Sequence, residues 1–253
     1  MTPSGVPVAV DVGNSHIKVG IQKGGSIAKV VRFEHGFLGF IELVEKETID
    51  LTGERPKNWI LAGVVPGEVA RLKDALEHHG VEVCWLNQQS QVGLQLSLDE
   101  PEKVGLDRLL AAKAAYHRSK GKACMVVDVG TALTVNWVDR AGVFMGGSIQ
   151  PGWKLMAKSL GEGTAALPEI ATPGPLGVQW PAKNTKEAIE AGLLNAMLGS
   201  IERSWRRARQ MDHEATLWFT GGCGALIAKL FENGSFFQPN LVLEGMFLSA
   251  CLK

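Results

Sequence analysis

The stretch VPVAVDVGNSHIKVG, residues 6–20, places Asp-Val-Gly between two apolar runs. The same arrangement returns in CMVVDVGTALTVNW, residues 124–137. In each copy the residues before the aspartate are almost all apolar, as in a buried central strand. The residues after the turn alternate between apolar and polar, which predicts a second, half-buried strand. Each copy therefore predicts a β-hairpin whose turn begins at Asp11 or Asp128, and not a strand-to-helix phosphate loop.

Length and composition narrow the class of protein. A chain of 253 residues forms one large or two medium domains. Its 26 basic and 26 acidic residues cancel, whereas a general nucleic-acid binder carries a basic excess or stripe. No apolar run reaches the ~18 residues of a membrane span, and the N-terminus lacks the basic start of a signal peptide. We expect a globular cytoplasmic protein with neither nucleic acid nor membrane as a partner.

The cysteines point to the same compartment. Cys84, Cys124, Cys223 and Cys251 show neither a CxxC motif nor a Cys/His spacing typical of zinc sites. We therefore expect free thiols in a reducing environment.

Strands and helices alternate along the chain, which predicts an α/β architecture. Further strands are predicted near 29–33, 58–65, 81–86 and 216–220. Helices are predicted at 37–46, 69–79, 106–120 and 186–210, and after GGCG at 221–224. The Gly-, Pro- and Thr-rich segment 161–183 predicts a loop. The distance between the two hairpins indicates an internal duplication of one βββαβ-like unit.

The hairpin turns have the chemistry of a phosphate site. Glycine lets backbone N–H groups approach an anion closely, and Asn14, Ser15, Thr131 and Thr134 add small polar donors. Two aspartates facing each other across a cleft would offer hard oxygen ligands to Mg²⁺ bound to nucleotide phosphates. The alternative for either copy alone is a simple hairpin turn, in which Asp and Gly are common.

Other nucleotide motifs are absent from the sequence. It contains neither G-x-x-x-x-G-K-[ST] nor a complete G-x-G-x-x-G, so Walker and Rossmann sites are not expected. TGG at 220–222 suits a glycine pair against an adenosine, or alternatively a plain strand-to-helix turn. Gly146-Gly147 and Pro151-Gly152 have two possible roles: they are structural turns that allow close backbone packing, or they belong to a functional site.

Seven motifs, taken in order and spacing, resemble the sugar kinase, Hsp70 and actin superfamily, and more narrowly the type III pantothenate kinases. They are DVGNS at 11–15, EPEKVGLDR at 100–108, DVGTALT at 128–134, GGSIQPG at 146–152, GTAALP at 163–168, KNT at 183–185 and TGG at 220–222. The resemblance implies an α/β fold of the duplicated actin-like (ribonuclease H-like) ATPase type. It implies a domain at 1–116 with the first phosphate hairpin, a domain at 117–253 with the second hairpin and TGG, and a nucleotide cleft between them.

The resemblance also implies an activity, namely ATP-dependent phosphorylation of the primary hydroxyl of pantothenate to 4'-phosphopantothenate. This is the first step of coenzyme A biosynthesis. Mg²⁺ would accompany ATP, and a monovalent cation, K⁺ or NH₄⁺, would be required. A homodimer is implied in which the partner subunit helps to complete the substrate site.

Site residues follow by matching motif to motif. Those implied to bind ATP and its phosphates are Asp11, Val12, Gly13, Asn14, Ser15, His16, Ile17, Lys18, Gly130, Thr131, Gly221 and Gly222. Those implied to bind the substrate are Gly105, Leu106, Asp107, Arg108 and Thr185. Asp107 is the implied general base, Asp128 the implied ligand of the monovalent cation, and Asp11 the implied ligand of Mg²⁺ with ATP. From the residues alone, Asp107 and Arg108 also fit a first-turn acid that complements the helix dipole and a solvated cation.

Four positions depart from the family pattern. Leu98 stands where a tyrosine is frequent, Leu106 where alanine is usual, Leu133 where threonine is usual and Ala182 where glycine is usual. These departures leave two alternatives open. One is a nucleotide-binding regulatory protein with little catalysis, and the other is a kinase for another small hydroxylated substrate.

Overall fold

The computed structural model describes residues 5–170, 180–231 and 234–249. The chain forms two compact units, Met1–Ala114 with Leu241–Lys253, and Ala115–Asn240. The division differs from the predicted boundary at 116/117 by two residues and in one further respect, since the C-terminal segment belongs with the first unit. No helix within the described ranges has the length and apolar character needed to cross a membrane.

The first unit contains a five-stranded mixed sheet. Its strands are β1 (Val6–Val12), β2 (Ile17–Lys23), β3 (Ser26–Phe33), β4 (Pro56–Gly63) and β5 (Val83–Trp85). Their order in the sheet is β3-β2-β1-β4-β5. Strands β1, β2 and β3 pair antiparallel, whereas β4 runs parallel to both β1 and β5. The remaining elements up to the boundary are α1 (Phe40–Thr52), α2 (Pro66–His78), a short strand β6 (Gln95–Leu96) and α3 (Leu106–Arg118), within which the division between units falls.

The second unit repeats this plan. Its strands are β7 (Cys124–Val129), β8 (Ala132–Val138), β9 (Val143–Pro151), β10 (Thr216–Thr220) and β11 (Ser235–Phe237). Within the unit they lie in the order β9-β8-β7-β10-β11, with the antiparallel and parallel pairings in the same places as in the first unit. The helices are α4 (Trp153–Gly163), α5 (Thr185–Met211) and α6 (Gly224–Ala228). The duplication predicted from the two Asp-Val-Gly hairpins is confirmed by this shared strand order.

Each hairpin is built from buried apolar residues. In the first, Val8, Val10 and Val12 of β1 pair with Ile21, Val19 and Ile17 of β2, and all six side chains are fully buried. They form one core with residues of α1, α2 and β4. In the second unit the corresponding core joins β7, β8 and β10 to helices α4, α5 and α6. The alternation in the sequence therefore predicted both hairpins correctly.

The segment around GGSIQPG is a strand rather than a pair of turns. Residues 146–151 lie in β9, which pairs with β8. The loop predicted at 161–183 begins with the last residues of α4, and its part at 171–179 lies outside the described residues.

The cysteines only partly match the expectation. Cys124 and Cys223 are free thiols, as predicted. The prediction is wrong for Cys84, which is disulfide-bonded. Spacing along the sequence does not show which distant cysteine approaches another in the fold. Cys251 lies outside the described residues.

The C-terminal helix α7 (Leu241–Phe247) is part of the first unit. A Cβ atom added at Gly245 would lie 2.1 Å from the carbonyl oxygen of Leu110 on α3. At Gly20 of β2 a Cβ atom would lie 3.2 Å from the side chain of Leu243. Helix α7 thus packs closely on both α3 and β2, and its contact with α3 leaves no room for a side chain at Gly245.

We expect Gly245→Ala to lower the free energy of unfolding by about 1–3 kcal/mol, because the new methyl group forces α7 away from α3. Gly199→Ala on α5 is the control. Nothing lies within 4 Å of a Cβ atom there, and the change should raise the free energy of unfolding by about 0.5–1 kcal/mol. Urea unfolding followed by tryptophan fluorescence measures both. A Gly245→Ala protein as stable as the unaltered one would contradict the close packing.

Candidate active site

The turn of the second hairpin consists of Gly130 and Thr131, both exposed. It is closed by a hydrogen bond of 3.1 Å that the Gly130 N–H donates to the Ala132 carbonyl. The turn is tight and lies at the carboxyl end of β7, the central strand of its sheet.

Asp128 lies one residue before the end of β7. It pairs with Thr134 on β8 and with Thr220 on β10, so its neighbours on both sides are hydroxyl residues. In the first unit Asp11 occupies the same place in β1. The structure therefore puts the two aspartates at equivalent positions of the repeated unit.

Gly221 of the TGG motif lies directly against Asp128. Its φ of +85° is in the left-handed region, which favours glycine. A Cβ atom there would lie 2.3 Å from Oδ1 of Asp128 and 2.7 Å from the backbone of Val129. Two residues further on, the Cys223 N–H donates a hydrogen bond to the Val129 carbonyl at 3.1 Å. The TGG motif is thus brought to the second hairpin, and a larger residue at 221 has no room.

The residue between β9 and α4 supplies the third segment at this turn. A Cβ atom on Gly152 would lie 2.2 Å from the carbonyl oxygen of Gly130, and the Gly152 N–H donates to Thr131 O at 3.0 Å. Within β9, a Cβ atom on Gly147 would lie 1.8 Å from the carbonyl oxygen of Val135. These glycines of GGSIQPG therefore serve close backbone packing, one of the two roles that the sequence left open.

The first hairpin has a longer turn. The Gly13 N–H donates to the His16 carbonyl at 3.1 Å, and Asn14, Ser15 and His16 are exposed. Asp11 is almost fully buried, with 8% of its surface exposed, and pairs in register with Lys18 of β2. The first turn is therefore exposed to solvent at three successive residues, whereas the aspartate before it is buried.

Two of the predicted phosphate-binding residues point into the core. Val12 and Ile17 are fully buried in the first unit's apolar cluster. Their side chains are occupied there, so only their backbone groups are candidates for contact with a ligand.

Sequence reasoning missed Gly63, the last residue of β4. It pairs with Val12 at the end of β1, and a Cβ atom there would lie 2.5 Å from the Val12 side chain. The next residue, Val64, donates its N–H to the Val12 carbonyl at 2.9 Å. Gly63 ends a buried strand and Gly221 directly follows one, and that position at a strand end is the signal that could have identified Gly63.

The GLDR segment begins α3. Asp107 lies in the first turn, where a carboxylate complements the helix dipole. Its Oδ1 accepts the Arg108 N–H at 2.9 Å, and within the described residues Oδ2 accepts no hydrogen bond. A Cβ atom on Gly105 would lie 2.5 Å from Oδ1, so glycine leaves room for the carboxylate. One carboxylate oxygen is therefore held in place while the other can receive a proton.

Arg108 is half-buried. Burial lowers the pKa of its guanidinium, and the neighbouring Asp107 carboxylate partly offsets this effect. The group stays charged, because an arginine does not lose its proton in proteins. A partly desolvated cation of this kind attracts a substrate carboxylate or phosphate more strongly than a solvated one.

Thr185 is the first residue of α5, and its side chain is exposed. The helix begins with a regular N-cap, in which the Asn184 side chain accepts the Glu187 N–H at 2.9 Å. The KNT motif thus marks the start of a helix and presents Thr185 to solvent.

The departures from the family pattern fall in different surroundings. Leu133 is fully buried on β8 within the second unit's core, so this change concerns packing. Leu106 at the start of α3 and Leu98 ahead of it are half-buried. Ala182, the fourth departure, is also half-buried, so these three positions remain candidates for altering a pocket.

No group of three or more His, Cys, Asp or Glu side chains that could hold a metal ion occurs in the described parts of the chain. Single carboxylates such as Asp11 and Asp128 fit a metal whose other ligands come from phosphates, water or backbone carbonyls. This is the usual arrangement for Mg²⁺.

Solved structures with a similar fold cover almost the whole chain. One from Campylobacter jejuni, described as a Baf family transcriptional activator, superposes with a TM-score of 0.61 and 19% identity over 95% of each chain. One from Listeria monocytogenes, described as an N-acetylmannosamine kinase, has a TM-score of 0.50 and 13% identity, with 95% of this chain and 97% of that chain covered. With the repeated strand order, these likenesses define a duplicated actin-like ATPase fold.

Sequence comparison narrows the class to a family. The model of the type III pantothenate kinases matches residues 8–207. A type III pantothenate kinase of Agathobacter rectalis is 30% identical over 95% of both chains. The chain belongs to the type III pantothenate kinase family, as the seven motifs predicted.

We expect Gly221→Ala to lower the free energy of unfolding by about 1–3 kcal/mol and to disturb ATP binding, because Cβ overlaps Asp128 and φ is positive. Gly222→Ala is the matched control for the free energy of unfolding. It is the adjacent glycine, and nothing lies within 4 Å of a Cβ atom there. Urea unfolding compares the two variants, and ATP titration calorimetry measures nucleotide binding by Gly221→Ala. Equal losses of unfolding free energy in the two variants would contradict the contact with Asp128.

Proposed function

We propose that the protein transfers the γ-phosphoryl group of ATP to the primary hydroxyl of pantothenate, giving 4'-phosphopantothenate for coenzyme A synthesis. The observation that carries this proposal is the Gly105–Arg108 segment at the start of α3, in a chain of this family. One oxygen of its Asp107 carboxylate accepts a backbone hydrogen bond, and its Arg108 guanidinium is half-buried. The reaction demands a base for the hydroxyl, donors for the phosphates and a partner for the substrate's negative charge.

Asp107 is the proposed general base. Its free Oδ2 accepts the hydrogen bond of the attacking hydroxyl and orients the oxygen towards the phosphorus, while the Arg108 N–H holds Oδ1. Arg108 is the proposed partner of the pantothenate carboxylate, because a planar guanidinium pairs with a carboxylate through two parallel hydrogen bonds. Gly105, Leu106 and Thr185 complete the proposed substrate site.

The two hairpin turns are the proposed phosphate sites, each carried by one of the proposed domains, 1–116 and 117–253. Gly13, Asn14, Ser15, His16 and Lys18, with the backbone at Val12 and Ile17, contact phosphate from the first unit. Gly130 and Thr131 do so from the second, and Gly221 and Gly222 lie against the adenosine. Backbone N–H groups suit this role because they are fixed in position and remain hydrogen-bond donors at any pH.

Two cations belong to the proposal. Asp11 would hold Mg²⁺ together with the nucleotide's phosphates, and the ion would supply charge neutralisation. Asp128 would hold a monovalent cation, K⁺ or NH₄⁺. The donor sets fit, because both ions prefer oxygen and each site offers one carboxylate beside backbone oxygens.

A homodimer acting in the cytoplasm completes the proposal. The family resemblance supports it, since the partner subunit would complete the substrate site. Analytical ultracentrifugation measures the oligomeric state directly.

Phosphate transfer from ATP to pantothenate, followed by mass spectrometry of the product, tests the activity. We expect 4'-phosphopantothenate to form with Mg²⁺, and turnover to rise when K⁺ or NH₄⁺ replaces Na⁺. A protein that binds ATP but leaves pantothenate unchanged would contradict the proposal. A panel of small hydroxylated compounds would then separate another kinase from a regulatory protein.

We expect Asp107→Asn to lower kcat by about 10²–10⁴-fold, because the amide cannot accept the proton. ATP affinity should stay near that of the unaltered protein. Asp99→Asn, an exposed aspartate outside the motif, serves as the control and should leave turnover unchanged. Steady-state kinetics measures kcat, and calorimetry measures the affinity for ATP. Normal turnover in Asp107→Asn would contradict the assignment of Asp107 as the general base.

A further inference from the structure

Lys154 is the second residue of α4, and its side chain is exposed. In the described part of the chain it takes part in no ion pair. The other lysine of α4 forms an ion pair, since Lys158 Nζ lies 3.5 Å from Glu162 Oε1. Lys186, in the first turn of α5, lies 4.0 Å from Glu190. Lys154 therefore carries a charge that the fold itself does not use.

The position of Lys154 is unfavourable for the helix. A cation in the first turn is repelled by the partial positive charge of the N-terminus, at a cost of about 0.3–1 kcal/mol on an exposed surface. The first turn of α4 contains no acidic residue to compensate. Helix stability thus gives no reason for a lysine here.

The surroundings of Lys154 give a different reason. It follows two residues after Gly152, whose backbone is in contact with the carbonyl oxygens of Gly130 and Thr131. Just before the same turn, the Val129 carbonyl accepts a hydrogen bond from the Cys223 N–H. Burial raises the pKa of the Cys223 thiol, and the charge of Lys154 acts against that rise, so the ammonium group lies within electrostatic reach of Cys223. Lys154 accordingly lies beside the proposed phosphate turn of the second unit.

We propose that Lys154 binds a phosphate oxygen of the nucleotide at the Gly130–Thr131 turn. The inference rests on the proposed function, which puts ATP phosphates at that turn. An ammonium group on a flexible four-carbon stem is a compact point charge that can follow a phosphate, as lysines in other phosphate sites do. The residues of the turn, Gly130 and Thr131, carry no charged side chain, so Lys154 adds a full positive charge that the turn itself lacks.

Three variants test the role. Lys154→Ala removes the charge, Lys154→Arg keeps it, and Lys158→Ala removes the paired lysine one turn further along the same helix. The Kd for ATP and for ADP is measured by calorimetry with Mg²⁺ at low and at high salt. Urea unfolding of each variant checks the fold, and KM for ATP is measured separately from kcat.

We expect Lys154→Ala to raise the Kd for ATP about tenfold or more, the usual scale for a lost hydrogen bond to a charged group. Lys154→Arg should recover most of the loss, and Lys158→Ala should bind like the unaltered protein. The salt dependence of ATP binding should be weaker in Lys154→Ala, because one ionic contact is gone. Unfolding midpoints should be unchanged or slightly higher.

Unchanged ATP affinity in Lys154→Ala, or an equal loss in Lys158→Ala, would overturn the proposal. An unaltered protein that binds no ATP would overturn both this inference and the proposed function. A protein that binds ATP through Lys154 but does not phosphorylate pantothenate would support the inference and contradict the proposed acceptor alone.

Discussion

The parallel register between β7 and β10 is the constraint on which the candidate site depends. It sets Thr220 beside Asp128, so the chain that leaves β10 must cross the end of β7 where no side chain fits. Glycine at 221 follows from that crossing, and Gly152, the residue after β9, reaches the same turn by the same kind of contact. Three segments distant in sequence thus meet through their backbones. A turn built from backbone with few side chains lets an anion approach closely, and N–H groups held in place suit it because fixed dipoles need no reorganisation.

Much of this arrangement could be predicted because the signals were local. An apolar run, Asp-Val-Gly and an alternating run specify a hairpin within about fifteen residues, and both hairpins are confirmed. Strand Thr216–Thr220 was predicted with its observed bounds, and helix α5 within one residue at each end. The family was identified because seven short motifs occur in one order, although none is specific alone. The roles of Asp107 and Asp128 came from that resemblance and not from their own surroundings.

The remainder depended on contacts between distant segments. The glycine- and proline-containing stretch of β9 has the composition of a loop, and only the approach of Gly147 to the Val135 carbonyl shows why a strand tolerates it. Gly63 carries no motif, because its requirement comes from Val12 on another strand. Leu133 looked like a change in a pocket and is a core residue. Helix α7 is too short for a periodic pattern, and its place in the first unit is a matter of packing across most of the chain.

That place has a consequence for synthesis on the ribosome. The first unit is discontinuous: its N-terminal part emerges early, but α7, which covers Gly20 and contacts α3, is translated only after the second unit. The second unit is continuous and has all of its residues before α7 appears. Domains usually fold from the N-terminus as the chain grows. Here the first unit is completed after the second, so its apolar surface stays uncovered until α7 has emerged, and it is during this interval that chaperones would be needed.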